Sequence, residues 1–598
     1  MGENNNFIFA VILSLSVLLG WQYFVLEPKY QAQKQAELAA EQAALAAAET
    51  PAQSATDIDP LTPQQPAAAA NAVPTQASEV LDVASSPRVA IETEQFTGSI
   101  ALLGARFDDL ALARFPISQA DGAPPVKVLR PRGAELNWQA TLGYRVPQED
   151  ATAVPGPTTM WRLVAGDVLR TDSPITLEYK NGDGLVFQRQ ISVDDKFMFT
   201  ISDRVVNTRT GPVTLYPFGQ ITRIGQPASN KIFVLHEGAI GFLGETLEEI
   251  TYADMIDDGP RKIPATTGWL GFTDKYWATA LIPPADQTID ARFTARAAEQ
   301  ASDEVYRADY LMTGQTIAAG GTLSLDSRFF AGAKVVNVID AYAEQGIKRF
   351  DLLIDWGWFY FLTKPMFRAL HLIYQLIGNY GLSILIVTVF IKLLFFPLAN
   401  RSYETMAKMK KVQPQMMKLR EVYKDDKQAQ QQELMKLYRE EKLNPLAGCL
   451  PVLLQIPVFF ALYKVLYVTL DMRHEPFYGW ITDLAAPDPT SLFNLFGLIP
   501  WDPPALLMVG FWPLVMGLTM FVQMQMNPAP PDPIQARLFK YMPIVFTFLL
   551  ASFPAGLVIY WAWNNFLSIL QQGYIMRKNG VEIELLYNLG VKKRADEA

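Results

Sequence analysis

Hydrophobic positions are distributed unevenly along the chain. From about residue 30 to 345 they occur in short runs broken by polar residues, and beyond that they gather into long blocks. An earlier block, Phe7 to Leu26, FIFAVILSLSVLLGWQYFVL, is long enough to span a bilayer, which takes about 20 residues. MGENNN before it lacks the basic residues of a secretory leader, and its apolar core is long. Both favour an uncleaved anchor, with Trp21 and Tyr23 at the far interface, although Ala32 and Ala36 leave cleavage open.

Residues 28–84 are rich in Ala, Gln, Pro and Thr and read as a tether. Residues 85–345 read as a β-sandwich of short strands. Phe197, Phe199 and Ile201 alternate with Met198, Thr200 and Ser202, and Leu185, Phe187, Arg189 and Ile191 share one parity just before them. Asp194-Asp195 and the NGDG run at 181–184 mark turns. The pairs Asp108-Asp109 and Asp257-Asp258 read as solvated turns, because exposed carboxylates are the rule.

Ile347 to Tyr374 mixes aromatics with Lys348, Arg349, Lys364, Arg368 and His371, which suits a helix lying in the membrane interface. Gly381 to Leu398, GLSILIVTVFIKLLFFPL, is a spanning block with a charge, Lys392, inside it. Charge at that depth costs about 2.5–3.5 kcal/mol and by default marks a functional site. The competing reading is snorkelling, since Lys392 lies about 12 Å from the cytosolic end at about 1.5 Å per residue. Residues 401–444 predict a charged helical hairpin. Met406, Met409, Val412, Met416 and Leu419 form an apolar stripe suited to adaptable binding, and a turn falls near Lys424. Further spans are predicted at Cys449–Leu470, where Lys464 reads as snorkelling, and at Ala505–Met526. Phe539–Phe553 and Ala555–Met576 form a last pair broken at Pro554.

Half of the residues are hydrophobic and 19% are charged, too apolar a balance for an ordinary soluble chain. The formal charge is −9, but the basic residues gather in 401–444, around Arg537 and Lys540, and at the end of the tail. That bias puts both termini in the cytosol and the β domain outside. One cysteine, Cys449, excludes an intramolecular disulfide and a cysteine-based metal cluster. The spans after residue 376 hold no Asp, Glu or His in their interiors, so proton relays and nucleophile–base pairs are missing. Ser383 and Lys392 lie on different faces of their helix. What remains is one cation, the polar residues Thr388, Gln455, Asn564 and Asn565, and much apolar surface, the makings of a binding groove.

NYGLSILIVTVFIKLLFFPL, MAKMKKVQPQM, LYREEKLNPLAGCLPVLLQIPVFFALY, MPIVFTFLLASFPAGLVIYW and NNFLSILQQGYIMRK resemble the YidC insertase family of bacterial inner membranes. The resemblance covers about 346 to 577. The anchor and β domain are similar to the Gram-negative version, on order and size more than on motif. It implies a polytopic α-helical membrane protein of six transmembrane helices, five of them an insertase core, carrying a periplasmic β-supersandwich. The expected divisions are an anchor at 1–27, a linker at 28–84, the periplasmic domain at 85–345, and an interfacial helix at 346–375. The core follows at 376–577, with its hairpin at 401–444, and a basic tail at 578–598.

The family's groove cation, commonly arginine, falls on Lys392. Its other groove-lining or substrate-contacting positions fall on Thr388, Ile456, Pro457, Phe459, Tyr560 and Trp561, and the substrate's apolar segment would slide along the spans holding Ile456 and Leu549. Lysine in place of arginine leaves open whether the site is always charged. The implied function is insertion and folding of nascent proteins in the inner membrane, alone or with the Sec translocon, without enzyme chemistry, cofactor or metal. The implied partners are nascent membrane proteins, the Sec translocon, the ribosome, signal-recognition-particle components and the phospholipid bilayer. The basic tail reads equally as a ribosomal RNA contact and as a solvated end. The alternatives are a polytopic transporter, which would need inverted repeats or intramembrane acids, and a scaffold anchoring the periplasmic domain.

Overall fold

The computed structural model describes residues 86–580, except 132, 148–149, 228–234, 286, 299, 358, 425, 442, 444–449, 502, 505–506 and 528–532. The expected anchor at 1–27, the linker, the basic tail beyond residue 580 and Cys449 lie outside the described residues.

The strand periodicity read from the sequence folds into two large, almost wholly antiparallel sheets, of 11 and 9 strands. Strand Leu185–Val193 pairs with Met198–Asn207, and the turn between them is held by Asp194, whose carboxylate accepts the Lys196 and Met198 N–H groups. At the NGDG turn the Asn181 side chain accepts the Asp183 and Leu185 N–H groups, and Gly182 and Gly184 take the positive φ the turn requires.

The shared parity of Leu185, Phe187, Arg189 and Ile191 does face inward, Arg189 included. Its charge is met by a bidentate pair with Asp203, both bonds 2.7 Å, and by the Leu142 carbonyl. A buried cation needs such partners. Burial and the neighbouring Asp203 push the Tyr144 phenol, which donates to that carboxylate, well above its ordinary range.

Asp108-Asp109 departs from the expected solvated turn. Both lie inside the strand Arg106–Pro116, and Asp108 is fully buried, paired with Arg106 at 2.9 Å and with Arg88. The sequence hid this because one partner lies twenty residues away. Asp257 and Asp258 are exposed at the end of a short helix, α1 (Tyr252–Asp257).

The chain leaves the sheets through α2 (Val336–Glu344) and a 3-10 turn, Phe350–Leu353. Phe350 is buried against Trp269, Phe330 and Tyr342, so this stretch belongs to the β core and not to an interfacial helix. The helix expected over Ile347–Tyr374 is confined to α3 (Tyr360–Ile377), which continues through Pro365. Lys364 on α3 pairs with Asp340 on α2 at 2.8 Å and ties it to the β domain.

Then follow α4 (Tyr380–Leu394), α5 (Phe396–Val422), α6 (Lys427–Glu440), α7 (Leu450–Val468), α8 (Phe511–Met526), α9 (Pro533–Leu550) and α10 (Ala555–Lys578). Helices α4, α7 and α8 are shorter than the spans predicted for them, whereas α9 starts earlier and ends earlier than Phe539–Phe553 and α10 runs two residues past Met576. The block Gly381–Leu398 breaks at Phe395, where α4 and α5 meet at 69°, and the hairpin's first helix starts before Arg401. Among the described residues no single helix is long and apolar enough to cross a membrane, though the bent pair α4 and α5 is by length and composition. The structure gives a β-rich domain and a helical C-terminal region; it does not supply the six-span count.

Lys464 does not snorkel. It is buried on α7 and pairs at 2.7 Å with Asp355 in the segment leaving the β domain. A second strap runs from Arg473, which donates to the Pro116 and Ile117 carbonyls and lies over the Tyr276 and Trp277 rings.

Candidate functional site

Helix α10 is the hub of the helical region, touching α4, α5, α7 and α8. Its sequence places Asn564, Ser568 and Gln572 four residues apart, hence on one face, with Asn565 and Gln571 beside them. Asn564, Asn565, Ser568 and Gln572 are all buried. Gln571 reaches Asn400 on α5 at 3.2 Å, and Gln572 donates to Asn527 at 3.0 Å. The Asn564 Nδ2 and Gln572 Oε1 atoms are buried without a hydrogen-bond partner among the described residues. Buried polar atoms need a partner, so this seam is suited to water or to a polar ligand.

Lys392 meets that seam. Its Nζ donates to Ser568 Oγ at 2.6 Å, and Ser568 in turn donates to the Asn564 carbonyl at 2.8 Å. No carboxylate among the described residues faces the ammonium. A half-buried cation with only a hydroxyl partner keeps its charge available to an anionic or polar group. The Trp563 indole N–H donates to the Leu385 carbonyl at 3.2 Å and clamps α4 onto α10. Tyr403, Met406 and Ile575 pack below the seam, joining α5 to it.

Thr388, one turn before Lys392, is buried, and its hydroxyl is used within α4 on the Ile384 carbonyl at 2.6 Å. It shapes the helix face and offers no free donor to a ligand. Tyr560 is buried as well. Phe459 on α7 and Trp561 on α10 meet edge to face at 4.8 Å, and Phe546 on α9 extends this aromatic wall at 5.9 Å from Trp561. Pro457 is half-buried inside α7, while Ile456 and Leu549 are exposed on the apolar surfaces of α7 and α9.

The expected residues thus divide into a cationic seam holding Lys392, an aromatic wall holding Phe459 and Trp561, and outward apolar faces holding Ile456 and Leu549. Ser568 and Gln572 went unread in the sequence, although their spacing from Asn564 is the signal that could have found them. Among the described residues no group of three His, Cys, Asp or Glu side chains could hold a metal ion. The arrangement offers charge, hydrogen bonds and apolar contact; in its one serine–lysine contact the Ser568 hydroxyl accepts from Lys392 and its own proton is donated to the Asn564 carbonyl.

Comparison with known proteins gives two family models. The 60Kd inner membrane protein model matches residues 372–582, and the YidC periplasmic domain model matches residues 88–369. The chain is 50% identical over 612 residues to the membrane protein insertase YidC of Methylobacterium sp. (strain 4-46), covering 98% of this chain and 97% of that relative. It is 49% identical over 598 residues to that of Beijerinckia indica subsp. indica, covering 98% of each. Among solved structures, an active YidC insertase crystal structure with the first transmembrane domain resolved is similar at a TM-score of 0.34. The identity there is 15%, with 82% of this chain and 96% of that one covered.

Proposed function

The chain belongs to the YidC family of membrane protein insertases, bacterial inner membrane proteins with a periplasmic domain, and on that premise we propose how its residues perform insertion. Family members are insertases and not enzymes, and the work is one of transfer between solvents. A hydrophilic end of a nascent membrane protein enters the seam on α10 from the cytosolic side. Lys392 attracts its acidic or carbonyl groups, while Ser568, Asn564 and Gln572 replace part of its water. Polar backbone in hydrocarbon costs several kcal/mol per unpaired group, and a polar seam lowers that cost. The apolar segment of the client follows along the aromatic wall of Phe459 and Trp561, past Ile456 and Leu549, and into lipid. Its own hydrophobic transfer, about 25 cal/mol per Å², drives the step without nucleotide.

In this reading the chain crosses the membrane six times, with both termini cytoplasmic and the β domain periplasmic. The α5–α6 hairpin receives clients, and the Sec translocon, the ribosome and signal-recognition-particle components are its working partners. The observation that carries the reading is an ammonium facing a buried polar stripe with no acidic counter-ion among the described residues. A photocrosslinker at Ile456 tests the route. A stalled nascent chain with an emerging apolar segment is expected to crosslink there, and absence of any adduct across a series of chain lengths would overturn it.

A further inference from the structure

Between α7 and α8 the chain displays the run Leu492–Trp501, LFNLFGLIPW. Leu498 is 83% exposed, and Leu495, Phe496 and Trp501 are about half exposed, at 50%, 46% and 47%. From Pro489 to Met526 the only charged residue is Asp502. Contiguous exposed apolar surface of this kind marks an interaction site.

The display is built. The buried Asp488 carboxylate accepts the Trp480 indole N–H, the Thr490 hydroxyl and the Trp512 backbone N–H in the first turn of α8. Ser491 donates to the Leu507 carbonyl, the Leu492 N–H to the Val509 carbonyl, and Phe496 packs edge-on against Phe511. Leu495 and Phe496 hold φ of 49° and 58°, a left-handed backbone that bulky residues avoid. This scaffold turns large apolar side chains outward.

Helix length identifies the occupant. α8 has 16 residues, so it is about 24 Å long against a hydrocarbon core of about 30 Å. The apolar loop leads into the N-terminal end of α8, where such a deficit would have to be made up. The two surfaces are continuous, because Leu492 and Phe493 share an apolar slot of about 280 Å³ with Leu518 and Phe521 on α8 and Ile544 and Phe548 on α9. A short span flanked by uncharged apolar side chains is matched to lipid.

We propose that Leu492–Trp501 is an outer-leaflet wedge, seated among the acyl chains of the bilayer and completing the thickness that α8 lacks. The proposal rests on the reading of α8 and α9 as spans, and its test separates the two. Cys449 is the only cysteine, so a Cys449→Ser background accepts single labels. Leu498→Cys and Leu495→Cys, both at exposed side chains, carry an environment-sensitive fluorophore in the full chain reconstituted into phosphatidylethanolamine–phosphatidylglycerol vesicles. Leu518→Cys on α8 reports the span, and Asp258→Cys on the β domain reports water.

A nitroxide at the fifth acyl carbon is expected to quench the loop labels several-fold more than iodide present on both sides, with Asp258→Cys reversed. If iodide quenches the loop labels as it does Asp258→Cys while Leu518→Cys still senses the nitroxide, the wedge is overturned and the span reading stands. If Leu518→Cys is also wet, the span reading itself fails. Loop shielding that rises with protein-to-lipid ratio would assign the patch to a second copy, and shielding only on adding another protein would assign it to a partner. Either result overturns the lipid assignment.

Discussion

The Lys464 ammonium on α7 lies 2.7 Å from the Asp355 carboxylate, which also accepts the backbone N–H of His236 from the β domain. The pair is 11% and 16% exposed at its two side chains. Removing one partner of a buried pair leaves the other charge uncompensated, at a cost of about 3 kcal/mol. Lys464→Met and Asp355→Asn are each expected to lower the thermal unfolding midpoint in detergent, and the double variant to lose less than the sum of the two. Additive losses would show that the pair is not coupled.

The same carboxylate sets a pH dependence. Burial pushes the Asp355 carboxyl up, but the Lys464 ammonium and the N–H groups of His236 and Gly357 outweigh it and hold it below the usual range. In the unfolded chain it titrates near about 3.9. Its contribution is therefore complete above that value and is lost as pH falls through the lower folded one. The gap in unfolding midpoint between the parent and Asp355→Asn is expected to be full at neutral pH and to close at strongly acid pH. A gap unchanged on acidification would contradict this.

At the seam, Lys392→Ala is expected to weaken insertion of clients with short hydrophilic tails into liposomes holding the purified protein, and Lys392→Arg to preserve it. Ser568→Ala keeps the cation and removes its hydroxyl partner, a hydrogen bond to a charged group contributing about 1.5–3 kcal/mol. A smaller defect than that of Lys392→Ala is expected, read as the fraction of client protected from protease. Equal insertion by the parent and Lys392→Ala would remove the cation from the mechanism.

The close approach of α8 and α9 depends on a missing side chain. A Cβ on Gly517 would fall 2.0 Å from Thr547 Oγ1. Gly517→Ala is expected to cost about 1–3 kcal/mol through overpacking. Thr547→Ala removes the colliding atom, so the double variant is expected to recover much of the loss. A midpoint as low in the double variant as in Gly517→Ala would mean that the collision is not what separates the helices.

Much of this was legible in the sequence, because period and turn chemistry are local. The 185–193 and 198–207 strands, their two turns and the helices of the second half follow from spacing that neighbouring residues carry. The inward Arg189 was visible as a parity and unexplained until Asp203 stood opposite it. What sequence did not reveal were pairings across long separations. Lys464 looked like a side chain reaching for headgroups because Asp355 is 109 residues away. Asp108 looked solvated because its arginines come from another strand and from its own. At the candidate site, Lys392 was conspicuous as a charge in an apolar block. Ser568 and Gln572 were not, since small polar residues in an apolar helix raise no signal until a cation points at them.

Only Phe395 stands between the helix that ends just after Lys392 and the long helix of the hairpin, and the two meet at 69°. A joint of one residue has two soft backbone torsions, so any change in the angle between the hairpin and α4 must be absorbed at Phe395 or in the turns on either side of it, one of which carries the ammonium.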